Sequence, residues 1–303
     1  MDYGKVKPEE MAQIDFALPP DHAFTHRTLP GQPVGAPQVF VGCPIWASKE
    51  WAGKVYSPGT REKDYLKHYA RQFNTIELNT THYRIPDSGT IEKWKLAAAP
   101  GFQFCPKIPQ VISHDLALVG AEALTQEFCL SVAGLGERLG VAFLQLPPSF
   151  GPAHQPTLAA YLRQFPASIP LAVEFRHPDW FNQPAVWQQT LEMLRGHGVG
   201  TVITDVAGRR DALHQSLTTP VAFIRYVGNM PRPADYSRLD AWVQRLKSWL
   251  ESGLERVYFF VHEHDNIISP EVCRYLIRAL NRHCGLQMAE PRLLAQVVQG
   301  TLF

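Results

Sequence analysis

Residues 170–205 read PLAVEFRHPDWFNQPAVWQQTLEMLRGHGVGTVITD, and this stretch decides the fold. PLAVEFR (170–176) and VGTVITD (199–205) are short runs rich in apolar and β-branched residues, as strands are. The stretch between them, over 184–197, is amphipathic with helical spacing. Two strands joined through a helix must run parallel and pack the helix on one side. Working outward, the same alternation continues in both directions. Upstream lie VFVGC (39–43), TIELN (75–79), FQFCPK (102–107) and VAFLQL (141–146); downstream lie VAFIRYV (221–227) and RVYFFVH (256–262). Helical stretches are expected over 61–73, 88–98, 121–139, 156–165, 184–197, 209–217, 236–253 and 270–283. In the seventh of these Leu239, Trp242, Val243, Leu246, Trp249 and Leu250 repeat at three and four. The last opens at Ser269-Pro270-Glu271, a capping residue followed by Pro at the first helical position.

Eight strands alternating with eight helices predict an α/β fold, a (β/α)8 TIM barrel over 38–283. A doubly wound sheet is the alternative. Residues 1–37 read as an N-terminal extension and 284–303 as a C-terminal tail. No composition shift or Gly/Ser linker divides the region.

Composition limits the functional classes. The chain has 303 residues, 45% hydrophobic and 19% charged, too apolar for a disordered polypeptide. No apolar run approaches the ~18 residues of a membrane helix, and the N-terminus lacks the apolar core of a secretory signal. The five cysteines are odd in number and form no C-x-x-C pair, so neither a disulfide framework nor a cysteine zinc site is expected. A cytoplasmic location follows. With 29 basic and 28 acidic residues the net charge is +1, so bulk charge implies no nucleic-acid partner, while a local basic cleft stays open.

Side chains alternate along a strand, and the polar ones fall late. Glu77 and Asn79 share a face of strand two, and Cys105 and Lys107 one of strand three. Strand four aligns Val141, Phe143 and Gln145; strand five Ala172, Glu174 and Arg176; strand six Thr201, Ile203 and Asp205; strand seven Val221, Phe223 and Arg225. Strand eight ends in His262. If these faces point inward, the polar residues meet at the C-terminal mouth, where active sites of such barrels lie. Three acids (Glu77, Glu174, Asp205) then stand against three bases (Lys107, Arg176, Arg225), with nothing left over. A salt-bridged plug that only closes the barrel is the structural alternative.

The blocks VGCPIW…EW (41–51), NTIELNTTHYRIP (74–86), FCPKIPQVISHD (104–115), LQLPPSFGP (144–152) and AVEFRHPDWF (172–181) resemble the YecE-like family, a domain of unknown function. The resemblance covers most of 38–283. It implies a TIM barrel and supplies no reaction. Its motif positions carry over as Trp46, Glu77, Asn79, Tyr83, Lys107, Gln145, Glu174, Arg176, His177 and Trp180. The chain departs from the pattern at VHEHDN (261–266), where many relatives carry an Asn-rich turn.

Three functions are open. The first is a hydrolase or lyase with Glu77, Glu174 and Asp205 as the catalytic acids. Glu77 and Glu174 would face each other, one ionised beside Arg176 and one holding its proton in an apolar pocket. Lys107, Arg176 and Arg225 would hold a small anionic substrate, a phosphate or carboxylate. Trp46, Asn79, Tyr83, Gln145 and His177 would complete its binding site, and Trp46, Trp51 and Tyr56 could cover a sugar or base. The second is a metal-dependent phosphodiesterase or nuclease. No cofactor is expected from the sequence, but His82, His114, His177, His262, His264 and Asp265 join the carboxylates in an oxygen and nitrogen set that a divalent metal accepts. His262, His264 and Asp265 are the first candidates. The third is a barrel that binds without catalysis. The terminal QGTLF resembles the peptide with which bacterial repair proteins dock on the sliding clamp, matching at Gln299, Leu302 and Phe303. Clamp docking would favour a nucleic-acid substrate.

Overall fold

A computed structural model describes residues 4, 6–7, 9–229 and 233–294. The eight expected strands are present: β1 (Gln38–Cys43), β2 (Thr75–Leu78), β3 (Gln103–Pro106), β4 (Ala142–Gln145), β5 (Leu171–Glu174), β6 (Gly200–Asp205), β7 (Val221–Val227) and β8 (Arg256–His262). All neighbours pair in parallel, in the order β3-β2-β1-β8-β7-β6-β5-β4. β3 and β4 meet through Phe104 with Leu139 and Lys107 with Phe143, and Ile108 N donates to Phe143 O (2.9 Å), closing the ring. Pairing followed once around, from Lys107 through β4 to β8, β1 and β2, comes back to the third strand's segment near Ala99. That stagger is the one an eight-stranded barrel requires. The fold is a (β/α)8 barrel.

The helices are α1 (Ala23–Thr28), α2 (Tyr65–Tyr69), α3 (Ser88–Ala97), α4 (Glu122–Ala133), α5 (Gln155–Gln164), α6 (Asp179–Asn182), α7 (Pro184–Gly196), α8 (Pro233–Glu251) and α9 (Ser269–Cys284). None of them is long and apolar enough to cross a membrane. The helix expected over 209–217 is absent: a short 3-10 turn covers 207–212, with a non-helical Arg209 inside it. From there the chain runs without helix to β7. The vacancy on the outer wall is filled from the other end of the sequence. Thr25 Oγ1 donates to Gln215 O (2.7 Å) and Thr28 Oγ1 to Leu217 O (2.7 Å), which fixes α1 against this segment. Arg195 of α7 lies over the Phe24 ring, and Asp21 accepts from Arg245 and Trp249 of α8. α1 thus stands between α7 and α8, where the missing helix would be.

Two apolar layers result. The outer one, between strands and helices, contains the Leu239–Leu250 stripe of α8. The inner one fills the barrel with Phe40, Cys105, Val141, Phe143, Ala172, Val202, Phe223, Tyr258 and Phe260. Phe40 stacks on Tyr258 at 4.9 Å, and Phe223 touches Phe143 and Phe260 at 5.2 and 5.1 Å. The barrel is therefore a packed core with an aromatic floor. At Gly42 a Cβ would meet Thr75 O at 2.2 Å, so β1 and β2 approach closely only because no side chain intervenes.

Candidate functional site

The inner cluster fixes which face of each strand points inward. Cys105, Val141, Phe143, Ala172 and Phe223 are inside, so two residues onward Lys107, Gln145, Glu174, Arg176 and Arg225 follow on the same face at the C-terminal mouth. Glu77, Asn79 and His262 join them through hydrogen bonds. Strand six differs from expectation. Val202 is the inward residue, so Gly200 and Thr204 share its face, while Thr201, Ile203 and Asp205 face the helices. Asp205 accepts from Arg238 Nη2 and Trp242 Nε1, both at 2.7 Å, and pairs with Arg210. Burial opposes its charge, but Arg238 and Arg210 outweigh this and hold its carboxyl below the usual range. Asp205 therefore ties α8 and the 3-10 turn to the outside of the barrel. β6 is buried on both faces and ends in a polar residue on each, so alternation cannot reveal its orientation.

The remaining charges form one network. Arg225 is fully buried; Nε and Nη2 clasp Glu77 through two bonds of 2.8 Å, and Nη1 donates to Glu174 Oε2 at 2.6 Å. Glu77 also accepts from Asn79 Nδ2 (2.9 Å) and engages His262 Nε2 (3.0 Å). Glu174 Oε1 accepts from Arg176 Nε (2.7 Å), and Arg176 Nη2 donates to Gln145 Oε1 (2.8 Å). The Arg225 guanidinium lies 5.4 Å from the Phe143 centroid, so the network rests on the aromatic floor. Both carboxyls are fully buried, which raises their proton affinity. The arginines reverse this: Arg225 and His262 keep Glu77 well below the usual range, and Arg176 and Arg225 bring Glu174 down to about 2. The expected division, one ionised acid and one protonated acid, is not what the geometry gives. Both are ionised and engaged by arginine. Burial lowers His262 despite the nearby Glu77, so its neutral ring donates Nε2–H to that carboxylate.

With Asp205 outside, the balance of three against three becomes two acids against three bases. Arg176 and Arg225 offset Glu77 and Glu174, and Lys107 remains. It is 7% exposed, and its Nζ has no hydrogen bond or ion pair among the described residues. Burial first, and then the Arg225 cation, bring its ammonium down to about 8. Two imidazoles are close enough to sense its charge. His82 Nδ1 donates to Ile108 O (2.9 Å), and burial and Lys107 lower the ring to about 4. His114 bonds Ser113 Oγ through Nδ1 (2.8 Å) and is lowered by burial and by Lys107. Their rings are 5.4 Å apart. His114 belongs to a π-helical turn, Val111–Asp115, followed by Ala117 and Leu118 at positive φ (46° and 71°). Such local strain clusters at functional sites.

Thr204 is the residue that the sequence reading missed. It lies in register with Arg225 on β7, is 5% exposed, and its Oγ1 has no partner among the described residues. A buried hydroxyl without a bond is costly.

The other expected residues are distributed as follows. Tyr83 is 80% exposed, and Trp46 is half-buried, edge-on to Trp94. Trp51 and Tyr56 are fully buried, Trp51 Nε1 donating to Asn266 O and Tyr56 bonding the Trp46 carbonyl. These two pack the first loop and cannot cover a substrate. Trp180 is likewise buried, its Nε1 on Phe150 O (2.8 Å). His177 accepts from Asp179 N (3.2 Å) and packs on Gly151. His264 and Asp265 are exposed, and Asp265 accepts from Ile267 N. Among the described residues no group of three or more His, Cys, Asp or Glu gathers as a metal site would. Gln299, Leu302 and Phe303 lie outside the described residues.

Comparison with known proteins agrees with the geometry. Residues 40–294 match the family described as "Protein of unknown function DUF72". The chain is 30% identical to the UPF0759 protein YecE of Escherichia coli K12 over 262 residues, 80% of this chain and 93% of that protein. It is 27% identical to the UPF0759 protein YunF of Bacillus subtilis over 53% of this chain and 58% of that one. A crystal structure of a DUF72 family protein from Enterococcus faecalis V583 superposes with a TM-score of 0.65 at 19% identity, over 83% of this chain and 99% of that one, and shares the fold. From the five sequence blocks, the barrel they build and these matches, the chain belongs to the DUF72, or YecE-like, family.

Proposed function

We propose that the protein is an enzyme of hydrolase or lyase type that acts on a small anionic substrate, a carboxylate or phosphate, at the C-terminal mouth of the barrel. The observation that carries this reading is the surplus cation. Two buried carboxylates are offset by two buried arginines, and Lys107 stands beside them with no partner of its own. A buried ammonium with no ion pair of its own, over an apolar floor, attracts an anion more strongly than a surface lysine does. Glu77 and Glu174, whose oxygens are engaged by arginine, act as positioning groups: they hold Arg225 and Arg176 and stay ionised. Proton transfer falls to Lys107 and to the neutral imidazoles of His82 and His114, groups that titrate or stay neutral near pH 7. Tyr83, exposed beside His82 with ring centroids 5.3 Å apart, offers an aromatic surface at the rim. We place the protein in the cytoplasm, a reading supported by its five free cysteines.

The test is calorimetric titration and thermal shift with inorganic phosphate, pyruvate and small phosphorylated carboxylic acids. The wild type is expected to be stabilised and to bind with a 1:1 stoichiometry. Lys107→Met is expected to fold and to bind about tenfold or more weakly, the loss of one charge-assisted contact. Equal binding by wild type and variant would remove the reading.

A further inference from the structure

We propose that Lys107 is a nucleophile that forms an imine with a carbonyl compound carrying a carboxylate or phosphate, such as a 2-oxo acid. This deepens the anionic-substrate reading above and rests on it. The geometry gives the amine what imine formation needs. Nζ is held by no hydrogen bond or ion pair among the described residues, so no protein contact must break before it attacks. The oxygens of Glu77 and Glu174 are taken by Arg225 and Arg176, so neither carboxylate holds Nζ in a direct contact. A lysine desolvated beside other cations is the usual form of an activated amine, and here burial and Arg225 act in that direction.

The step balances within the site. Nζ first gives its ammonium proton to a neutral imidazole, and its lone pair then attacks the carbonyl carbon: a C–N bond forms, the carbonyl π pair moves onto oxygen, and the proton the nitrogen sheds goes to that oxygen. The imidazolium returns the first proton to the resulting hydroxyl; the imidazole of His114 has its Nδ1 on Ser113 and its other nitrogen without a partner among the described residues. The C–O bond then breaks, water leaves, and a protonated imine remains. That cation lies in the field of Glu77 and Glu174, which already favour positive charge on the same nitrogen. The iminium charge formed on Nζ faces the carboxylate or phosphate of the substrate, and Thr204 Oγ1 is a buried hydroxyl with a hydrogen bond to offer.

Glyoxylate and pyruvate, the smallest 2-oxo acids, are the probes. The full-length protein is incubated with each in the presence of sodium cyanoborohydride near pH 7.5, and reduced adducts are mapped by peptide mass spectrometry. Lys107 is expected to be modified roughly tenfold or more faster than exposed lysines such as Lys49 and Lys63. Inorganic phosphate is expected to slow that adduct alone. Lys107→Arg, which keeps the cation and removes the nucleophile, is expected to lose the adduct while glyoxylate still raises its unfolding temperature. Adducts confined to exposed lysines would overturn the imine. If glyoxylate still raises the wild-type unfolding temperature in that case, the anionic site stands without it. If glyoxylate, pyruvate and phosphate leave that temperature unchanged as well, both readings fall.

Discussion

Replacing Arg225 with methionine tests whether the mouth is a charge-compensated network. The side chain is fully buried and donates three hydrogen bonds, two to Glu77 and one to Glu174. Methionine keeps most of the volume and can rest on Phe143. Glu77 retains Asn79 and His262, and Glu174 retains Arg176, so each acid keeps part of its shell. Removing one member of a buried ion pair costs about 3–5 kcal/mol. At about 2–4 °C per kcal/mol for a chain of this size, the unfolding midpoint near pH 7 should fall by roughly 6–20 °C. The sign of the pH effect follows from Glu174. Its carboxyl titrates at about 2 in the fold against an ordinary 4.5. A depressed acid contributes stability that is present above about pH 4.5 and lost as pH falls through 2. Without Arg225 both carboxyls rise, the folded variant accepts protons more readily, and this contribution shrinks. Wild type and variant should therefore converge between pH 5 and pH 3, as followed by circular dichroism. Adding Glu174→Gln should recover part of the loss, because one charge fewer is then buried without compensation. A midpoint shift worth less than about 1 kcal/mol, or a gap that stays constant down to pH 3, would refute the network.

Other substitutions separate the inner site from the outer ties. Lys107 is lowered to about 8 against an ordinary 10.5, so the fold disfavours its charged form; wild-type stability should rise by about 1–3 kcal/mol as pH increases from 8 to 10.5. Lys107→Met should abolish that rise and raise the midpoint at pH 7, even as ligand binding weakens. Asp205→Asn should cost about 3–5 kcal/mol in denaturant unfolding, through Arg238 and Arg210, and leave ligand affinity within about twofold. An affinity loss comparable with that of Lys107→Met would return Asp205 to the site. Thr204→Val removes an unpartnered hydroxyl. It should be neutral or stabilising by thermal unfolding and weaken anion binding about five- to tenfold in calorimetry, one lost hydrogen bond. Unchanged affinity would exclude the hydroxyl from ligand contact.

Most of the barrel was legible because its strands are short apolar runs separated by helical spacing, and both signals survive without tertiary context. The missing helix at 209–217 was not legible. Its residues find partners in Asp15–Ala17, His22 and Thr25 rather than in their own turn, and long-range compensation leaves no local periodicity. At the site, alternation placed Glu77, Lys107, Gln145, Glu174, Arg176 and Arg225 together. It failed on β6, where Thr204 and Asp205 are adjacent polar residues at the end of a strand buried on both faces. That single reversal conceals the surplus of Lys107, because a misplaced Asp205 supplies the missing negative charge on paper. The roles of Trp51 and Tyr56 were illegible for another reason: a buried aromatic and a ligand-covering one look alike until packing is known.

The filling of the outer wall by α1 has a consequence for how the chain is assembled. Residues 21–28 are made well before their partners Gln215, Leu217, Arg245 and Trp249, which lie 189 to 228 positions further on. Closing so long a loop is entropically expensive and comes late. During synthesis, therefore, this stretch waits unpartnered with Phe24 uncovered, and the wall beside β6 and β7 stays open until the eighth helix has emerged. The α1 segment acts as a latch, made before the barrel it closes and engaged after it. A protein begun at the first strand would expose that seam permanently, and proteolysis or self-association there is the expected result.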